Sequence, residues 1–192
     1  GARAFAQLGQ AIQTPNVYRT ASGAPGPQYW QQRADYKIDV TLDENAKRIS
    51  AKEVIQYQNN SPDTLRYLWV QLDQNRFRND SLARRSETAA TAGTRRDQGG
   101  AGDVVTYNTL RKNQAFNRRD HGFEITSVKT ASGQSLKYTI VDKMMRIDLP
   151  GPLKSGAKTA FEIAWDFNII DEAAMGGRGG YERFEDDTYI YF

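Results

Sequence analysis

Apolar and polar residues alternate with a period of two along much of this chain, which leaves few folds open. Between Lys158 and Ile169, the residues Phe161, Ile163, Trp165 and Phe167 alternate with Glu162, Ala164 and Asp166. Side chains two apart share a face only in extended backbone, so this is a strand with one apolar side. Tyr36, Ile38, Val40 and Leu42 repeat the pattern against Lys37, Asp39 and Thr41, predicting a half-buried strand. Asp43–Ala46 supplies a turn. Arg48–Gln58 follows as a hairpin partner, with Ile49, Ala51, Glu53, Ile55 and Tyr57 on one side. Glu53 interrupts that apolar side and leaves the inward face of the strand open.

Further strands follow the same logic. Asn59–Asp63 is a turn, and Leu65–Leu72 is a strand with apolar residues on both faces, as expected between two layers. Phe123–Lys129 is a strand and Thr130–Gln134 a turn. Leu136–Val141 and Met144–Leu149 pair across Asp142-Lys143, and Pro150–Gly156 turns again. Short strands with turns every 8 to 12 residues or so predict an all-β fold, an antiparallel sandwich or open barrel. No strand–helix–strand alternation suggests a nucleotide-binding α/β fold.

Two segments depart from the pattern. Residues 1–28, rich in Gly, Pro, Gln, Ala and Thr, predict an extended N-terminal arm, with room for a short helix over Ala6–Ile12. Residues 29–192 then form a single domain, interrupted by a polar insert over 73–121. The insert holds ten Lys and Arg against six Asp and Glu, a net +4, whereas the rest of the chain is −1. The overall charge of +3 therefore belongs to the insert. Ser81–Ala90 predicts a short helix capped by Asp80 or Ser81, and Thr91–Gly102 approaches low complexity. A connection of this length suggests either function or a solvated loop. Phe77, Tyr107 and Phe116 do not form the stacking ladder of a single-strand binder, which weighs against nucleic acid as a partner.

Chemistry-bearing motifs are scarce. The chain has no cysteine, which excludes disulfides, thiolate metal sites and cysteine nucleophiles. His121 is the sole histidine, and it reads as a loop residue ahead of a strand; one histidine cannot build a two-histidine zinc helix. Gly176–Gly180 lacks the Lys-Ser/Thr ending of a phosphate-binding loop and reads as a flexible connection between strands. Glu182, Glu185, Asp186 and Asp187 lack the spacing of a calcium loop and read as solvated carboxylates. No apolar run approaches the roughly 18 residues of a membrane span. Ala2–Gln7 resembles the trimmed end of a signal peptide, which would place the protein in the periplasm or outside the cell; Gly1 is equally an expression scar. Asp187–Phe192 reads as a strand cut off in mid-run, so the chain is expected to be the front part of a larger protein.

Several segments together resemble a known family. Tyr29–Arg33 (YWQQR), Asp35–Leu42 (DYKIDVTL), Tyr57–Leu65 (YQNNSPDTL) and Tyr67–Asn75 (YLWVQLDQN) are similar to the N-terminal domain of M1-family zinc metallopeptidases, in particular bacterial M1-like aminopeptidases. Gly122–Ile125, Met145–Leu149 and Gly176–Tyr181 continue the likeness, so that it covers most of the chain from Tyr29 onward. The resemblance implies a saddle-shaped β domain preceding a thermolysin-like catalytic domain. In that family the zinc ligands are the histidines of a His-Glu-x-x-His motif and a downstream glutamate, and a Gly-x-Met-x-Asn segment anchors the substrate amine. Neither motif occurs here, so no catalytic, cofactor or metal residue is assigned to this chain, and zinc is implied only for an absent catalytic domain. A glutamine that the family's N-terminal domain lends to the substrate amine would lie just past Phe192, and the arginine-rich insert exceeds the family core.

The resulting expectation is a non-catalytic domain that scaffolds its own C-terminal catalytic domain and walls a peptide-substrate cleft. Trp30, Tyr67 and Trp69 are candidate core or interface anchors, with a core role expected for Trp69. The alternatives are a free-standing β-sandwich module for carbohydrate or protein, and an anion binder acting through the insert.

Overall fold

The computed structural model describes residues 15–86, 107–175 and 179–192. The fold is all-β and antiparallel, with two facing sheets. The larger has the order β1-β2-β7-β4, formed by Arg33–Asp43 (β1), Arg48–Gln58 (β2), Lys158–Asn168 (β7) and Glu124–Thr130 (β4). The smaller has the order β3-β6-β5, from Leu65–Gln71 (β3), Met144–Leu153 (β6) and Tyr138–Val141 (β5). A separate hairpin joins Tyr181–Arg183 (β8) to Tyr189–Tyr191 (β9).

The period-two residues set the registers. Ile55 of β2 faces Phe161 of β7, and Ile163 of β7 faces Val128 of β4, so the apolar sides of three strands form one surface. Leu68 of β3 pairs with Ile147 of β6 and supplies the opposing layer. The core lies between these strands and includes Ile55, Leu68, Val128, Met145, Ile147, Phe161 and Ile163. Burying each such side chain contributes about 1.5–3 kcal/mol, enough to make this the main support of the fold.

Four sequence expectations need correction. β1 has the expected alternation, yet all its residues are exposed, because no described segment lies over its apolar side. β3 is an edge strand rather than a strand between layers: Leu68 points inward, while Tyr67 and Trp69 lie on the outer surface. Trp69 is 52% exposed, packed edge-on against Tyr67, and therefore is not a core residue. β6 runs through Pro150-Gly-Pro152 to Leu153 instead of turning at Pro150. Its pairing skips between Asp148 and Leu153, and this irregularity accommodates prolines that have no N–H to donate.

The insert begins with a 3-10 turn at Asp73–Phe77. The expected short helix is Leu82–Arg85 (α1), whose Arg84 N–H is capped by the Ser81 hydroxyl. A second helix, Tyr107–Arg118 (α2), was not expected, and Glu172–Met175 (α3) adds a single turn. Residues 15–28, exposed except for Gly26, fold back on themselves, with the Gly26 and Gln28 N–H groups donating to the carbonyls of Tyr18 and Val17. The readings for Ala6–Ile12, for Thr91–Gly102 and for the first three residues of 176–180 lie outside the described residues.

Candidate functional site

The polar segments quoted above act first as internal braces. Asn59 is fully buried at the end of β2. Its amide nitrogen donates to the carbonyls of Asp63 (2.7 Å) and Leu153 (3.0 Å), and its oxygen accepts from Ser61 Oγ (2.7 Å) and Gln32 Nε2 (3.0 Å). One side chain thus ties the segment before β1, the Asn59–Asp63 turn and the end of β6 together. Asn75, also fully buried, accepts from Phe123 N–H at 2.9 Å and donates to the Asp142 carbonyl at 2.8 Å. Buried amides whose hydrogen bonds are all satisfied rigidify turns, which is the role these motif residues hold.

His121 lies in the second brace. It is 4% exposed, and Nδ1 lies 3.0 Å from the Asn168 carbonyl. It precedes β4 as expected, inside the turn network rather than in a cleft. Beside it Gly122 has no room for a side chain, since a Cβ there would meet Arg78 Cγ at 2.1 Å. Among the described residues no three His, Asp or Glu side chains converge to hold a metal ion.

The region best placed for recognition is the uncovered half of the larger sheet. Tyr36, Ile38, Val40 and Leu42 of β1 pair across to Ile55, Glu53, Ala51 and Ile49 of β2, so they share the face that carries the core. The smaller sheet covers β2, β7 and β4 but leaves β1 bare, with Ile38 48% and Val40 57% exposed. This apolar surface runs into a groove of about 420 Å³ lined by Val40, Leu42, Phe77, Phe167, Ile170 and Phe192, among others. Glu53 stands in the middle of the face, between Ile38 and Ile163. Burial raises its carboxyl above the ordinary value, and the Trp165 indole N–H offsets part of that rise. A carboxylate ringed by apolar side chains favours an occupant that brings a hydrogen-bond donor or cation to an otherwise apolar contact.

The groove's far wall depends on the hairpin β8–β9. Lys47, in the β1–β2 turn, places Nζ 3.4 Å from the Tyr189 ring centroid and donates to Tyr191 Oη at 2.8 Å. That cation–π contact pins the hairpin to the larger sheet. At its base Gly180 has φ 154°, and a Cβ there would lie 2.7 Å from the Ile170 carbonyl oxygen, so a close backbone approach requires this glycine. Glu185, Asp186 and Asp187 are exposed and Asp187 pairs with Arg183, which places this acidic group in solvent.

The remaining candidates are dispersed. Trp30 is partly exposed beside Tyr18 and Tyr29 in an open groove of about 400 Å³ that also includes Arg19 and Asp63. Tyr67 lies under the Arg146 guanidinium, 4.1 Å from the ring centroid. In the insert Arg78 pairs with Asp80 at 2.8 Å, Arg119 donates to the Ala46 carbonyl, and Arg76 lies over Phe77. These arginines have separate local partners and do not converge on one surface site. No helix among the described residues is long and apolar enough to cross a membrane. No protein-family model matches the chain, and no curated protein matches it.

Proposed function

We propose that this chain is a non-catalytic N-terminal domain of an M1-like zinc metallopeptidase, whose bare sheet face packs on a catalytic domain and walls one side of the peptide cleft. The observation that carries the reading is the apolar face of β1, continuous with the core face yet open to solvent. Such a surface on a folded domain marks an interaction site. The family resemblance of the segments from Tyr29 onward supplies the identity of the partner domain. Zinc and the reacting groups belong to that domain, and no residue of this chain is assigned to them.

The test compares aminopeptidase activity and zinc content in this chain and in the full natural gene product. The expected result is both in the full product and neither in the chain alone; activity in the chain alone, or a full product lacking both, rejects the reading. A second arm places Val40→Asp in the full product. Activity there is expected to fall at least about tenfold, because a buried unpaired carboxylate opposes docking. The same change in the isolated chain, where residue 40 is exposed, leaves the melting temperature nearly unchanged.

A second reading is a binding module acting through the groove beside Trp30, where Tyr18 and Tyr29 offer aromatic surface next to Arg19 and Asp63. Aromatic platforms with flanking polar groups suit sugar rings. Oligosaccharide binding that is lost in Trp30→Ala would favour it.

A further inference from the structure

The free edge of β1 is a different surface from its apolar face, and what it implies does not rest on the docking reading above. Among the described residues, β1 pairs with β2 alone, which leaves one side of an 11-residue strand with unused N–H and C=O groups. Such edges are usually blunted by bulges, prolines or shortness. The other three edges of the two facing sheets follow that rule. β3 and β4 both carry register irregularities, and β5 has only 4 residues. β1 has an unbroken register and no proline.

Charge is the one protective device left, and its pattern is self-complementary. The outward-facing side chains read Arg33, Asp35, Lys37, Asp39, Thr41 and Asp43. We propose that β1 forms the seam of a symmetric dimer, pairing antiparallel with β1 of a second copy about a two-fold axis at Ile38. In that register Lys37 faces Asp39 of the second copy, Arg33 faces Asp43, Asp35 faces Thr41, and all 11 residues pair. On the apolar side Ile38 meets its own copy, Tyr36 meets Val40, and Ala34 meets Leu42. No pair sets like charges together, and two of the three polar pairs are opposite in charge, the condition under which cross-strand neighbours stabilise a sheet.

Neighbouring registers are worse. Moving the axis to Lys37 sets Lys37 against Lys37 and Asp35 against Asp39, and moving it to Asp39 sets Asp39 against Asp39. An axis at Tyr36 restores charge complementarity but pairs only Arg33–Asp39 and leaves Val40 and Leu42 without partners. A slip of one residue would put apolar side chains on the charged face. The decisive contact is Lys37 with Asp39, since neither makes an ion pair or side-chain hydrogen bond among the described residues. Lys52, which faces Asp39 across the sheet, is already engaged with Glu162 at 2.8 Å. Arg33 and Asp43 contribute less, being occupied by Asp35 and by the Asn45 and Ala46 N–H groups.

The absence of cysteine makes the register directly testable. Residues facing each other across an antiparallel pair have Cα atoms about 4.5–5.5 Å apart, within disulfide reach. Under mild oxidation Ile38→Cys is expected to give a covalent dimer, while Tyr36→Cys and Val40→Cys cross-link only when the two variants are mixed. Sedimentation of the unmodified chain is expected to show a concentration-dependent dimer. Lys37→Glu weakens it by about tenfold or more, because two attractive contacts become repulsive, and Lys37→Glu with Asp39→Lys restores it. A chain that stays monomeric to about 1 mM overturns the proposal, as does an I38C variant that cross-links no faster than Y36C. A dimer indifferent to the charge swap also overturns it, since its seam would lie elsewhere.

Discussion

Ile38 and Ile163 are the same side chain on the same face of one sheet, with Glu53 between them, yet Ile163 is 1% exposed and Ile38 48%. The difference lies in what stands over them. Above β7 the smaller sheet presents Met145 and Ile147, both without exposed surface, whereas no described segment covers β1. Alternation therefore specifies a face but not its cover. The covered half of the face stabilises the domain, and the uncovered half remains available for recognition.

The comparison is sharpest where one substitution is made in both halves. Ile163→Ala is expected to lower stability by about 2–5 kcal/mol in denaturant unfolding, through lost burial and the cavity left behind. Next in size is Asn59→Ala, which strips five hydrogen bonds from the buried turn and should cost about 1–3 kcal/mol. An equal loss from a conservative change at the neighbouring, only half-buried Asn60 would show that the brace is less central than its burial implies. Glu53→Gln tests the boundary between the halves. Because burial raises the folded-state pKa of Glu53, its charged form opposes folding. Removing the charge should therefore stabilise the protein at pH 7, by less than about 1 kcal/mol given its partial exposure. That gain should fade as pH falls through the raised folded-state value towards 4.5, and be absent below 4.5, where the unfolded carboxyl is protonated as well. A gain that persists at pH 3 would point to packing rather than charge. The smallest effect belongs to Ile38→Ala, expected to change stability by less than about 0.5 kcal/mol in the isolated chain. A loss there approaching that of Ile163→Ala would mean that β1 is covered in solution, and would collapse the distinction between the two halves.

The two polar braces were visible in the chain only as turn chemistry. Asn59-Asn-Ser-Pro-Asp63 reads as a turn because Asn, Ser and Pro favour one, and it is one. That Asn59 also reaches Gln32 and the Leu153 carbonyl depends on strands far apart in sequence, which no local signal encodes. The helix Tyr107–Arg118 was missed for a related reason: its residues are mostly polar, so it lacks the apolar stripe by which helices are recognised. Trp69 misled in the opposite direction. A tryptophan among apolar neighbours reads as core, but on an edge strand its face turned outward onto Tyr67.

From the sequence alone came the class of fold, most strand positions and the apolar side of the cleanly alternating strands β1 and β7. These follow from backbone geometry, in which residues two apart share a face wherever the strand lies. The Asp142-Lys143 hairpin belongs here too, because a two-residue connection forces its strands to pair as neighbours. Only tertiary structure decided the strand order β1-β2-β7-β4, the reach of the smaller sheet and the exposure of β1. Those depend on non-local pairing, in which β2 chooses β7 from more than a hundred residues away by matching whole apolar faces. Alternation along a strand cannot say how many neighbours a sheet will have or where its cover will stop, and that stopping point created the candidate site.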